Sequence, residues 1–192
     1  MINTENFKKV EVTSSAALRK WLIENHKQKE SIWLVTYKKD VPGKYVSIAE
    51  VLNELLCFGW IDGIRRKLDD QKTMQLISPR KAEHWAKSYK DRVARLIKEG
   101  KMHEAGLQSI ESAKKSGLWS FMDDVDQLLI PADLQKALKQ YKGATEFFYA
   151  INDSSKRFVL RWLKLAKTEK TRSARIQQLA ELSARKKKLK GS

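Results

Sequence analysis

The chain has 192 residues, of which 42% are hydrophobic and 9% aromatic, so it can bury a core and is not a disordered protein as a whole. The single cysteine excludes an intrachain disulfide and a cysteine-rich zinc site, and no apolar run is long enough to span a bilayer. The net charge is +16, but residues 155–192 hold 13 Lys and Arg against two Glu, so +11 of it lies at the C-terminal end.

The first part of the chain has the pattern of a small sheet. Phe7–Val12 predicts a short edge strand, and Thr13–Ser15 predicts the cap of a helix that runs to about Lys27. The run Ser31–Tyr37 is continuously apolar and rich in β-branched and aromatic residues. It therefore predicts a central strand with both faces covered.

A helix-to-strand corner follows at Leu56–Gly63. Ser47 and Glu50 predict a reciprocal helix cap, and the helix that they begin should bury Ile48, Val51, Leu52 and Leu55. Gly59 predicts the end of this helix, because glycine readily adopts the left-handed conformation. The segments 60–68 and 73–78 then predict an antiparallel hairpin around a polar turn.

The remainder is predicted to be helical. Gly100 and Gly117 should end two helices, and residues 119–126 predict a connector between two subdomains. Further helices are expected from Pro131, from Asn152 and from about Lys170. The predicted buried faces of the last two helices comprise Phe158, Trp162 and Leu165, and then Ile176, Leu179 and Ala180.

These elements predict an α+β protein. A small, mainly antiparallel sheet of about four strands, covered by helices, should precede an all-helical C-terminal half. We expect an α+β domain at 1–120, a helical subdomain at 127–185 and a basic, disordered tail at 186–192. Met1–Asn6 lacks the basic and then apolar regions of a secretory signal, so we expect a cytoplasmic protein.

Short motifs are spread over nearly the whole chain, and the most specific of them is the run Cys57–Gly63. The other motifs are Ile32–Leu34 with Lys38 and Lys39, Ser78–Arg80, Arg92–Ile97, Gly100–Met102, Ala105 with Gly106, Ile130 with Pro131, Asp133 with Leu134, Ala166 with Lys167, Thr171 with Arg172, and Arg175 with Ile176. Together they resemble the motifs of the bacterial YdeI/OmpD-associated family, also described as bacteriocin-protection proteins. The chain departs from the family pattern at Ala86 and Tyr89, where serine and asparagine are usual. The resemblance implies a role in resistance to bacteriocins or cationic peptides and brings no catalytic residues with it.

Asp62 is the most unusual residue of the corner, because a carboxylate in a sheet interior must be paired if it is buried. One interpretation is a structural network of ion pairs with nearby basic residues, among them Lys38 and Arg80. The alternative is an anion- or peptide-binding pocket. The candidate ligand-binding residues are Trp60, Asp62, Arg80 and Lys38.

No catalytic residues, metal ligands or cofactor are predicted. Cys57 lies at the C-terminal end of a helix, where the helix dipole disfavours a thiolate, so we interpret it as a buried core residue. His26, His84 and His103 lie on different elements without the spacing of metal ligands. An enzyme with a pocket near Trp60 and Asp62 is therefore the weakest of three hypotheses.

The C-terminal basic run is the other candidate site. It can attract phosphate on a nucleic acid or on an anionic membrane, or it can be only a solvated terminus. The candidate anion-binding residues are Lys170, Arg172, Arg175, Arg185, Lys186, Lys187 and Lys188. The leading hypothesis is a non-enzymatic stress or envelope-defence protein that acts by binding, with a protein partner or an anionic surface; binding of nucleic acid or another anion through the tail is the alternative.

Overall fold

The structure, a computed structural model, describes residues 6–191. The prediction about a secretory signal concerns Met1–Asn6, and residues 1–5 of this segment lie outside the described part of the chain. The chain divides into two compact units, Met1–Ser120 and Phe121–Ser192, each with its own core. Within residues 6–191 there are four strands and nine helices, and no helix combines the length and apolar character needed to cross a membrane.

The N-terminal unit is built on a four-stranded sheet. Its strands are β1 (Lys9–Glu11), β2 (Ile32–Tyr37), β3 (Trp60–Lys67) and β4 (Lys72–Pro79), in the order β1-β2-β4-β3. The first pair is parallel and the other two are antiparallel. The α+β fold with a mainly antiparallel sheet is thus confirmed. All six residues of β2 are buried, as the continuous apolar run predicts.

Four helices accompany this sheet. They are α1 (Ser15–Asn25), α2 (Ile48–Cys57), α3 (Lys87–Lys98) and α4 (Glu104–Lys115). Ser14 caps α1 by accepting the backbone N–H of Ala17. Ser47 and Glu50 form the predicted reciprocal cap of α2, in which each side chain accepts the backbone N–H of the other residue.

The corner after α2 holds three parts of the unit together. Gly59 has φ +69°, so it ends the helix in the left-handed conformation that favours glycine. Its carbonyl accepts the backbone N–H of Arg80 at 2.9 Å, and the carbonyl of Cys57 accepts the backbone N–H of His103 at 3.1 Å. The corner therefore positions both the end of β4 and the start of α4.

The buried faces of the helices differ in part from the predicted ones. Ile48 was predicted to be buried and is 53% exposed, because α2 turns Leu56 and Cys57 inward instead. The helix α2 lies among α1, β3, α3 and α4, so its buried stripe follows these neighbours rather than the strict helical repeat.

The C-terminal unit is helical. It contains α5 (Asp123–Asp126), α6 (Ala132–Lys139), α7 (Ala144–Ala150), α8 (Asp153–Lys164) and α9 (Glu169–Ala184). The expected connector at 119–126 instead includes α5, and Met122 and Val125 belong to the core of this unit. The predicted core residues of α9, Ile176, Leu179 and Ala180, are buried.

The prediction for α8 was wrong about its face. Phe158 and Leu165 are 42% and 41% exposed, while Val159, Leu160 and Leu163 are buried. Two apolar stripes run along this helix. The core of the unit packs against the stripe that contains Val159, Leu160 and Leu163.

The tail was expected to be disordered, yet Lys186–Gly191 fold back on the C-terminal unit. The backbone N–H of Lys187 donates to the carbonyl of Leu182 at 2.9 Å, which closes α9. Leu189 packs partly buried against the core, and the ammonium group of Lys188 donates to Ser155 Oγ at 3.2 Å.

Candidate functional site

The N-terminal unit contains a cavity of about 410 Å³. Four parts of the unit line it: the end of α1, the corner after α2, the segment that follows β4, and one face of α4. A volume of this size is in the range of small-molecule sites.

Arg80 is the only residue of the predicted ligand-binding set that lines this cavity. Its guanidinium carbon lies 4.0 Å from the centre of the Trp85 ring and 5.6 Å from that of Tyr89. One nitrogen, Nη2, donates to the carbonyl of His84 at 3.0 Å. The other two, Nε and Nη1, are buried and have no hydrogen-bond partner among residues 6–191.

The charge of Arg80 is only weakly compensated within this unit. Burial lowers the pKa of its guanidinium, and the more distant Tyr89, Glu83 and Asp62 act in the opposite direction without cancelling that effect. Because a buried cation without acceptors is unfavourable, the arrangement is suited to an anionic group that would supply them.

The wall opposite Arg80 is polar. Ser109, Ser112 and Ser116 stand at i, i+3 and i+7 on α4 and its C-cap and therefore lie on one face, with Gln108 beside them. Ser116 donates to the carbonyls of Ser112 and Ala113, which fixes its rotamer. The hydroxyls of Ser109 and Ser112 can donate to an anion, whereas the single hydroxyl proton of Ser116 is already used in its bonds to these carbonyls.

Two histidines stand near the corner with defined tautomers. His26 lines the cavity, and its Nδ1 lies 3.0 Å from the carbonyl of Leu22, so this nitrogen carries the proton. His103 is the N-cap of α4, and its Nδ1 accepts the backbone N–H of Ala105 at 3.2 Å, so this nitrogen is unprotonated. The two rings are 4.8 Å apart, and Phe58 stacks on His103 at 4.6 Å.

Asp62 is held by neutral partners. Tyr89 donates to its Oδ1 at 3.0 Å and Gln75 donates to its Oδ2 at 3.2 Å. Among the described residues, the expected ion pairs of Asp62 with basic side chains are not formed: Arg65 donates to Thr36, and the one side-chain hydrogen bond of Arg80 goes to the carbonyl of His84. Tyr89, one of the departures from the family pattern, thus positions this carboxylate.

Trp60 and Lys38 lie away from the cavity. Trp60 is fully buried, packs edge-on against Trp21 at 5.6 Å and donates its indole N–H to the carbonyl of His26 at 3.0 Å. Lys38 follows β2 at the opposite end of the sheet, where it donates to the carbonyl of Asp70 at 2.6 Å. Both side chains have structural contacts and neither lines the cavity, although the backbone of Trp60 pairs with Pro79, the residue before Arg80.

The basic residues of the C-terminal unit divide into two groups. Arg172 forms a bidentate ion pair with Asp133, at 2.7 and 3.1 Å, and Arg175 donates to the carbonyl of Trp162 and lies 4.7 Å from the centre of its ring. These two therefore stabilise α9 within the unit. The exposed members of the predicted set are Lys170, Arg185, Lys186, Lys187 and Lys188.

Cys57 is buried, as predicted, and burial raises the pKa of its thiol. Within the described range, no group of three or more His, Cys, Asp or Glu side chains is placed to hold a metal ion.

The sequence analysis missed most of the cavity. The residues it did not single out as site residues are His26, Trp85, Gln108, Ser109, Ser112 and Ser116. Their one local signal is the spacing of the serines along the helix that Gly117 is predicted to end. The approach of α4 to Arg80 depends on contacts distant in sequence, which no local pattern reveals.

Comparison with known proteins finds two family matches. Residues 10–109, just over half of the chain, match the family described as Domain of unknown function (DUF8412). Residues 127–186 match the family described as Bacteriocin-protection, YdeI or OmpD-Associated. No curated protein and no solved structure matches the chain.

The resemblance to the YdeI/OmpD-associated family was expected over nearly the whole chain, and the model of that family matches residues 127–186. The run Cys57–Gly63 and most of the cavity, including Arg80, lie in the region of the other family, while Ser112 and Ser116 lie beyond its end at residue 109. The chain therefore belongs to the family Domain of unknown function (DUF8412), and its residues 127–186 are similar to the YdeI or OmpD-associated family.

Proposed function

We propose that this protein acts by binding rather than by catalysis, and that its N-terminal cavity takes an anionic group, a carboxylate or a phosphate, at Arg80. We further propose that it works in the cytoplasm and protects the cell against bacteriocins or cationic peptides through this binding. The YdeI or OmpD-associated match supports the biological role, and the cavity supports the mode of action.

The observation that carries the proposal is the partly compensated guanidinium of Arg80. Two of its nitrogens are buried without an acceptor among the described residues, and Trp85 holds it in place at 4.0 Å. Hydrogen bonds to charged groups contribute about 1.5–3 kcal/mol each. An oxyanion that accepts hydrogen bonds from Arg80 would therefore gain more binding free energy than an oxyanion that contacts only the exposed lysines.

The charge of the chain also favours an anionic ligand. With a net charge of +16, the protein repels a cationic peptide at long range. A peptide or any other ligand would therefore be recognised by an anionic group, such as a terminal carboxylate, rather than by its basic side chains.

The direct test is a thermal-shift and calorimetric titration with acetate, benzoate and inorganic phosphate, compared with chloride at equal ionic strength. We expect at least one of these anions to raise the Tm of the natural protein and to leave that of Arg80→Met unchanged. Lys81→Met is the matched control, because Lys81 lines the same cavity with an exposed side chain and its loss removes the same charge. If no anion raises the Tm, or if Arg80→Met still responds, the cavity proposal is wrong.

Stability without ligand separates a binding role from a structural one. Replacing a buried cation that has a single hydrogen-bond acceptor by an apolar side chain of similar length is often neutral or stabilising, so we expect the free energy of unfolding of Arg80→Met to lie within about 1 kcal/mol of that of the natural protein. A loss of roughly 3 kcal/mol or more would identify Arg80 as a structural residue. The free energy of unfolding from urea titration gives this number.

The biological role is tested by deleting the gene in the producing bacterium and challenging the cells with cationic peptides. Restored resistance with the natural protein and with Lys81→Met, but not with Arg80→Met, would link the cavity to protection. Unchanged sensitivity of the deletion strain would remove the protective role while leaving the binding result intact.

A further inference from the structure

The outer face of α8 exposes two large apolar side chains. Phe158 and Leu165 are seven residues apart and therefore lie on one helical face, about 10 Å from each other along the axis. Each is more than 40% exposed. Arg157 stands beside Phe158 and is exposed as well.

The basic tail is held beside this face. Lys188 donates to Ser155 Oγ at 3.2 Å, and Gly191 packs so closely on Phe158 that a Cβ atom there would lie 3.4 Å from the ring. The tail therefore contacts the N-terminal half of α8 at Ser155 and Phe158, and its exposed positive charges belong to the same segment. These charges belong to Arg185, Lys186, Lys187, Lys188 and Lys190.

The backbone at the start of the tail is strained. Lys186 has φ +53°, the left-handed conformation that glycine usually supplies at this position of a helix end. It is also flanked by like charges on both sides, which repel one another. A strained residue and adjacent like charges both oppose stability, and such features are found where a sequence serves a function. A polyanionic partner would neutralise the charges of this segment.

We infer that α8 and the tail form a surface that binds anionic phospholipid, which we call the α8–tail surface and define as Arg157, Phe158, Leu165 and Arg185–Lys190. Basic side chains that border an apolar stripe are the pattern of interfacial binding, in which the charges meet lipid headgroups and the apolar groups enter the acyl boundary. A nucleic acid would use the charges and could stack on Phe158, but it has no use for an exposed aliphatic side chain such as Leu165.

This surface lies in the C-terminal unit, and its function does not depend on the N-terminal cavity. Its test is cosedimentation of the full chain with vesicles of equal parts phosphatidylglycerol and phosphatidylcholine, and with vesicles of phosphatidylcholine alone. We expect binding to the anionic vesicles only, and a steep loss of binding as salt is added.

Three variants identify the surface. Arg157→Gln/Lys187→Gln/Lys190→Gln should lower the partition coefficient about a hundredfold, because each basic residue near an anionic surface contributes roughly fivefold. Phe158→Ser/Leu165→Ser should also weaken binding without changing the charge. The matched control Lys136→Gln/Lys139→Gln/Lys142→Gln removes the same charge from exposed positions on α6 and the segment that follows it and should bind much more tightly than the first variant.

Lys186→Gly offers an independent readout. It should raise the Tm, because it relieves the strained backbone, and it should lower vesicle binding about fivefold. The inference is overturned if anionic vesicles do not bind, if the control triple variant loses as much binding as the first, or if a duplex oligonucleotide binds more tightly than the vesicles and Phe158→Ser/Leu165→Ser has no effect on either.

Discussion

Gly106 on α4 lies directly against the corner that follows α2. A Cβ atom there would lie 2.3 Å from the carbonyl oxygen of Cys57, which itself accepts the backbone N–H of His103. The absence of a side chain thus allows α4 to pack against the corner and to form one wall of the cavity.

We predict that Gly106→Ala destabilises the protein by about 3 kcal/mol, the upper range for overpacking, because the clash is with backbone that cannot rotate away. Gly100→Ala is the control: Gly100 has φ +66° but no atom within 4 Å of an added Cβ, so only backbone strain of about 1 kcal/mol is expected. Urea unfolding measures both. Equal losses of unfolding free energy in the two variants would show that the clash with the Cys57 carbonyl adds nothing to the destabilisation.

His103 gives the N-terminal unit a dependence on pH. Burial and the neighbouring His26 lower the pKa of its imidazole, with smaller effects from Glu104, Arg19 and Lys27. Its unprotonated Nδ1 caps α4, so the folded state holds the neutral form. The unfolded chain then binds the proton at a higher pH than the folded chain does.

The lowered pKa of His103 fixes the sign of the pH dependence of stability. The contribution of His103 is fully present above the ordinary histidine pKa of about 6.5 and is lost as the pH falls through the lower pKa of the folded state. We predict that His103→Asn, which keeps a capping side chain but does not titrate, loses less stability than the natural protein between pH ~7 and ~5. Thermal unfolding at several pH values tests this; parallel curves for the two proteins would contradict it.

At the scale of elements, α6 and α9 are joined by the ion pair of Asp133 and Arg172. The hydrogen bonds of Arg172 lower the pKa of Asp133, and those of Asp133 raise the pKa of Arg172. Arg172 was predicted to bind an external anion, yet its guanidinium already binds this carboxylate on both oxygens. Its contacts are those of a residue that stabilises the helix pair.

We predict that Arg172→Gln lowers the stability of the natural protein by about 1 kcal/mol, a modest value because the pair is partly exposed to solvent. Its effect on binding to anionic vesicles should be smaller than that of Lys187→Gln. Unfolding and cosedimentation of the two variants give the comparison. If Arg172→Gln left the stability unchanged and lost more vesicle binding than Lys187→Gln, Arg172 would be an anion-binding residue.

For the whole molecule, the distribution of charge sets the response to salt. The last 38 residues carry 13 basic side chains and two glutamates, and the tail packs these charges close together. Their mutual repulsion is screened by added salt, since the Debye length falls from about 10 Å at 0.1 M to about 3 Å at 1 M.

We therefore predict that NaCl raises the Tm of the full chain, and that removal of residues 186–192 reduces this increase. Circular dichroism melts at low and high salt measure it. An identical salt dependence with and without the tail would show that the repulsion lies elsewhere in the chain.

The sequence by itself determined where most elements begin and end. Ser47 with Glu50 and the φ +69° of Gly59 occur at the predicted ends of α2, and the hairpin of β3 and β4 turns in the predicted polar segment. Caps and tight turns depend on residues within a few positions of one another, so a local pattern contains the information that they need.

Only the tertiary structure decided which faces are buried and where the cavity lies. Phe158 and Ile48 fit a helical stripe as well as their buried neighbours do, and the choice between stripes depended on the partners of each helix. Arg80 was a predicted site residue, but the serines of α4 that face it and the fold of the tail over Ser155 arise from contacts across tens of residues. Burial and packing depend on such distant contacts, and the periodicity of one segment does not specify them.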